Sequence, residues 1–136
     1  MRKLIIVSAI ILLTGVAFGQ TLQKGSMISI HVLTITLDPD ATMNQYLDVF
    51  KNKSLPAMEK NMEGVKTFLL KGDRGENENR FAMAIYFESI KVRDRYWPSG
   101  GASEEMTAVL EKVSPITQEL EKLGTWTSEF TGWVVQ

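Results

Sequence analysis

The chain has 136 residues, 44% of them hydrophobic and 23% charged, which is enough apolar material for one packed domain. Its 15 Lys and Arg stand against 16 Asp and Glu, leaving no positive excess to hold nucleic acid or an anionic membrane surface. With no Cys and one His, it offers neither a disulfide framework nor a lipid-modified cysteine, and no metal-ligand set of usable spacing.

Arg2 and Lys3 precede an apolar run over residues 4–13 that only Ser8 interrupts, and small residues follow as far as Ala17-Phe18-Gly19. Positive, apolar and small–x–small parts in this order read as a secretory signal peptide, cut after Gly19. A membrane anchor needs about 20 apolar residues; this run is marginal, and no basic stop-transfer cluster follows. The sequence thus predicts a signal peptide over 1–19 and one exported domain over 20–136, periplasmic or secreted and not a lipoprotein. Without Arg2 and Lys3 the 15 basic residues fall to 13 against 16 acidic ones, so the exported chain is mildly acidic.

Met27–Leu37 reads as a strand with two apolar or β-branched faces, one carrying Ile28, Ile30 and Val32, the other His31, Leu33 and Ile35. Asp38-Pro39-Asp40 ends it with turn chemistry. Thr42 and Gln45 have capping-box spacing, and Met43, Tyr46, Leu47 and Phe50 form one apolar stripe, so a helix follows. Pro56 predicts a kink or a restart, with Ser54 as a second cap, and Gly64 predicts the end. Val65–Lys71 and residues 80–88 read as a hairpin around a polar loop. Ser89 caps a helical stretch over 90–97, which Pro98-Ser99-Gly100-Gly101 interrupts. Ser103 caps the next helix, Pro115 predicts a bend in it, Gly124 predicts its end, and residues 128–135 form the last strand.

The order β-α-β-β-α-β is the split βαβ, ferredoxin-like arrangement of the α+β class: a four-stranded antiparallel sheet with helices on one face. The other face would carry Ile28, Ile30, Val32, Ala82, Ala84 and Tyr86, too apolar to leave in water, so a homodimer joined sheet to sheet is expected.

Several short patterns add a family resemblance over nearly the whole exported chain. His31-Val32-Leu33, Leu55-Pro56-Ala57-Met58 and Phe87-Glu88-Ser89 followed by Asp94 and Tyr96 resemble the dimeric α/β-barrel superfamily. Within it, the stress-responsive A/B-barrel and antibiotic-biosynthesis-monooxygenase-like domains are the similar ones. The resemblance implies a dimeric α/β barrel with a cavity between sheet and helices. Plant polyketide cyclases of that group use a first-strand His, a Tyr on the second helical segment and a His shortly after it. His31 and Tyr96 match the first two. The third has no counterpart, since Trp97-Pro98-Ser99-Gly100-Gly101 carries no His.

His31 therefore has two readings: a general base on a cavity wall, or a half-buried strand residue bonded to a neighbour. Tyr96 either steadies an oxyanion or packs a helix. Trp97, Met83 and Phe81 are the candidate ligand-binding residues, with core packing as the alternative for each. Trp126 and Trp133 have dimer packing as their default role. No metal and no cofactor is expected. The function expected is binding of an apolar small molecule between sheet and helices. The alternatives are a cofactor-independent monooxygenase or polyketide-cyclase/isomerase-like enzyme using His31 and Tyr96, and a structural or partner-binding dimer.

Overall fold

The computed structural model describes residues 22–136; the expected signal peptide over 1–19 lies outside them. Strand β1 (Met27–Leu37) leads through the Asp38 turn into helix α1 (Met43–Val49), a π-helical turn (Phe50–Ser54) and helix α2 (Leu55–Asn61). Strands β2 (Val65–Lys71) and β3 (Phe81–Phe87), helices α3 (Ile90–Tyr96) and α4 (Glu104–Glu121), and strand β4 (Gly124–Val134) complete the chain. The sheet order β2-β3-β1-β4, with every neighbouring pair antiparallel, makes the fold ferredoxin-like.

The caps act as their residue types require. Thr42 Oγ1 accepts from Gln45 N–H at 3.2 Å while Gln45 Oε1 accepts from Thr42 N–H at 2.9 Å, closing the capping box on α1. Ser89 and Ser103 each accept from the N–H three residues on, at 3.1 Å. Ser54 is different. It has helical backbone angles and makes no capping bond, so the chain does not restart at Pro56. The π-turn takes up the proline instead: Leu55 N–H reaches back five residues to the Phe50 carbonyl. The wider turn relieves the clash that a proline ring makes with the carbonyl four residues before it. Pro115 likewise does not divide α4, which runs through it.

β4 begins at Gly124, four residues before its expected start, and pairs with all eleven residues of β1. Lys122 and Leu123 alone separate it from α4. Gly124 permits this close approach, because a Cβ there would stand 2.5 Å from the Thr36 carbonyl oxygen. Pairing with the full length of β1 outweighs the polar character of Thr125 and Thr127, both of which are good strand formers.

Alternation sorts the two faces. Met27, Ser29, His31 and Leu33 of β1 face the helices with Phe81, Met83, Ile85 and Phe87 of β3. The buried side chains form two clusters. One joins Met27, Val65, Ile85 and Phe87 to Met62, Tyr96, Met106 and Val109. The other joins Leu33 to Tyr46, Val49, Phe50, Leu55 and Leu120. Met83 packs against both. On the opposite face lie Ile28, Ile30, Val32, Ala82, Ala84 and Tyr86, as their parity requires. Phe68, 51% exposed, and Trp133, 63% exposed, extend that face onto the two outer strands.

Candidate functional site

Between the two clusters, the helix side of β1 turns polar. Ser29 and His31 follow Met27 at alternate positions, and Leu33 returns to apolar packing. Ser29 is buried and its Oγ lies 2.9 Å from His31 Nε2. Ser128, opposite Leu33 on β4, brings its Oγ to 3.4 Å from Nδ1. Both ring nitrogens thus face a hydroxyl. Phe130, the β4 partner of His31, stacks on the imidazole with ring centroids 5.3 Å apart and planes 21° from parallel. Phe130 is 69% exposed, so this station opens to solvent on the β4 side.

Burial lowers the His31 pKa from its ordinary 6.5, because an imidazolium half out of water loses hydration that no carboxylate here replaces. The ring is neutral at pH 7. Hydroxyls suit that state, since each can donate to or accept from whichever nitrogen lacks or carries the proton.

The structure brings some of the sequence-predicted residues together and separates others. Met83 is the β3 partner of His31, and Phe81 and Met83 pack on the cluster containing Leu33 and Tyr46. Tyr96 lies elsewhere. Its hydroxyl accepts the Glu63 N–H at 2.8 Å, just before β2, and its ring belongs to the cluster around Met106. That end of the sheet is marked by the row Val65–Phe87–Met27, whereas His31 stands in the row Leu69–Met83–His31–Phe130. Four residues at ~3.3 Å each put the rows about 13 Å apart. Trp97 caps α3, is 38% exposed, and donates its backbone N–H to the Arg93 carbonyl at 2.7 Å. Trp126 faces the helices, meeting Phe50 edge-on at 6.4 Å, while Trp133 stands on the open face.

Ser29, Ser128 and Phe130 are the members of the site that sequence reasoning missed. Ser29 was within reach, since a serine two residues before a helix-facing His on one strand shares its side of the sheet. Ser128 and Phe130 needed the β1–β4 register, which the misplaced start of β4 concealed.

No protein-family model and no curated protein matches the chain. Solved structures do. A NIPSNAP family protein from Agrobacterium tumefaciens superposes with a TM-score of 0.56 at 12% identity, over 84% of this chain and 89% of that one. A second NIPSNAP family protein of unknown function from the same organism gives 0.50 at 12% identity, over 82% and 91%. A cofactor-independent oxygenase from Streptomyces nogalater gives 0.46 at 14% identity, over 82% and 94%. At such identities the NIPSNAP likenesses establish the fold and nothing about chemistry.

Proposed function

We propose that this protein binds an apolar small molecule between sheet and helices, against the face formed by His31, Met83 and Phe130. One observation carries the reading: the helix-side core is divided into two apolar clusters, and the station between them is polar, half-buried and open beside Phe130. A core filled for stability alone would place an aliphatic residue at 31 and cover the aromatic ring next to it. A neutral imidazole flanked by hydroxyls gives such a site one adaptable hydrogen-bonding edge within apolar walls, which is the usual make-up of a small-molecule pocket. The reading extends to an exported homodimer. Its support is the composition of residues 1–19 and the apolar open face of the sheet.

Proton abstraction by His31 is the second reading. Burial holds the imidazole in the neutral form a base requires. The oxyanion partner expected at Tyr96 does not support it, because that hydroxyl is engaged by the Glu63 amide.

The test is uptake of the neutral fluorophore N-phenyl-1-naphthylamine. Wild type is expected to enhance its emission saturably, with one site per chain. Phe130→Ala together with Met83→Ala is expected to weaken uptake at least about tenfold, the equivalent of ~1.4 kcal/mol of lost apolar contact. Absence of saturable uptake by wild type would sink the reading.

A further inference from the structure

The β1–β4 register sets a serine on each side of the His31 ring. Ser29 Oγ lies 2.9 Å from Nε2, and Ser128 Oγ lies 3.4 Å from Nδ1. The two serines differ in setting. Ser29 is buried, with 8% of its surface exposed, whereas Ser128 is partly exposed near the open Phe130 ring. One hydroxyl is thus placed to hold the imidazole, and the other to meet a molecule arriving from solvent. Stacking on Phe130 fixes the plane of the ring.

The backbone adds a second feature. β4 is an outer strand of the sheet, and its antiparallel ladder with β1 alternates between pairs that exchange hydrogen bonds and pairs that do not. Asp38 N–H donates to the Leu123 carbonyl at one end, and Val135 N–H to the Ser26 carbonyl at the other, each at 2.9 Å. These bonds flank the pairs Leu37–Gly124 and Met27–Val134, which therefore exchange none themselves. Leu33–Ser128 and His31–Phe130 have the same parity. The N–H groups of Ser128 and Phe130 consequently point away from β1, toward the outer edge of the sheet. An oxyanion forming on Ser128 Oγ has that residue's own N–H to turn to, and backbone amides of this kind stabilise the charge that develops in acyl transfer.

We propose that Ser128 is an acyl acceptor activated by His31, and that its substrate is a small aryl ester. The inference rests on the reading above for its place alone, the station open to solvent beside Phe130. With the imidazole proton on Nε2 and donated to Ser29 Oγ, the Nδ1 lone pair faces the Ser128 hydroxyl. Ser128 Oγ then attacks the carbonyl carbon while its proton passes to Nδ1. The bond to the leaving oxygen breaks, that oxygen takes the proton from Nδ1, and the acyl group stays on Ser128 as an ester. Water attacks this ester next, again giving a proton to Nδ1. The carboxylic acid departs and Ser128 Oγ recovers the proton. Burial keeps the ring neutral at pH 7, as a base must be. The substrate class follows from Ser29, which stands where a carboxylate would stabilise the imidazolium formed at each attack. The leaving group must therefore depart with little help, a condition that phenolates meet and alkoxides and amines do not. The exposed Phe130 ring offers an apolar face to an aryl group.

The probe is p-nitrophenyl acetate. After an acid quench of the full chain, peptide mass spectrometry is expected to find acetyl on Ser128. Release of p-nitrophenolate is expected to rise with pH as His31 loses its proton, with a midpoint below 6.5. Ser128→Ala is expected to slow that release at least about tenfold, and His31→Gln to do the same with Ser128 still in place. Should Ser128→Ala not fold by far-ultraviolet circular dichroism, His31→Gln carries the comparison. Nitrogen NMR reads the tautomer directly, because His31 is the one histidine of the chain. The proton is expected on Nε2, and Ser29→Ala, which removes a positioning residue, is expected to weaken that preference. Acetyl on lysines alone, release that persists in Ser128→Ala, or a proton resting on Nδ1 would overturn the inference. No acetyl on Ser128, in a wild type that still takes up N-phenyl-1-naphthylamine, would overturn it and leave the binding reading standing. Acetyl on Ser128 without such uptake would uphold it and sink the binding reading.

Discussion

His31 carries a pH dependence whose sign follows from its surroundings. Its folded pKa lies below the unfolded value of 6.5, so between the two the unfolded chain binds more protons. Stability is then complete above pH 6.5 and lost as pH falls toward the folded pKa. The slope in that window is at most about 1.4 kcal/mol per pH unit for a single group. His31→Gln, which keeps hydrogen-bonding capacity toward Ser29 and Ser128 without titrating, is expected to flatten the part of the melting-temperature profile below pH 6.5. A mutant profile parallel to wild type would show that other groups carry the acid sensitivity. Tyr96 behaves as a fastener. Removing its hydroxyl in Tyr96→Phe leaves the Glu63 N–H without its acceptor, at a cost of about 1 kcal/mol because Glu63 is exposed to water. Urea denaturation reads that loss, and uptake of the naphthylamine probe is expected not to change. The strand position of His31 was legible from alternation alone. Of its two serine partners, Ser29 was within reach of the same alternation, while Ser128 depends on which residue of β4 lies opposite Leu33.

At the scale of elements, strand alternation and three of the four expected caps were read correctly, Ser54 being the exception. β1 and β2 have their expected bounds, and Thr42, Ser89 and Ser103 cap as their types suggest. Pro56 was read as a kink or a restart and Pro115 as a bend; a π-turn leads into Pro56 without a second cap, and α4 runs through Pro115. A π-turn leaves no mark in the periodicity, because Tyr46, Phe50 and Ser54 keep the spacing an α-helix would give them. Gly124 was read as a helix stop and is equally the first residue of β4. Its role there is testable. In Gly124→Ala the new methyl group would meet the backbone at Thr36 and Leu37, and neither can move without parting β1 from β4. We expect a loss of ~1–3 kcal/mol in chemical denaturation. Amide exchange is expected to quicken at Thr36 and Leu37 before it does so at Met27. Unchanged stability would mean that the strand start shifts and re-forms further on.

For the whole molecule, the sheet's open face decides the assembly. Ile28, Ile30, Val32, Ala82, Ala84 and Tyr86 would give a monomer an apolar surface continuous with Phe68 and Trp133. We expect light scattering on residues 20–136 at micromolar concentration to give twice the chain mass. Ile30→Lys, at the centre of the face between Ala84 and Thr131, is expected to reduce that to a single chain. A wild-type monomer would refute the dimer. The fold was legible because its topology follows from element order and face polarity. The surroundings of His31 were not, because they depend on the register between β1 and β4.

The cluster around Met106 gathers Met27, Met58, Met62, Met83 and Met106 in a chain without cysteine. Thioether sulfur is the softest target such a molecule offers to peroxide, and the sulfoxide is polar enough to disrupt the packing that shields it. Oxidation of Met106, which has no exposed surface, must wait for the cluster to open. Each opening then leaves a lasting 16-dalton mark, so peptide mass spectrometry after timed exposure to peroxide would record how often this core breathes. In an oxidising compartment, those same openings would set how long the protein lasts.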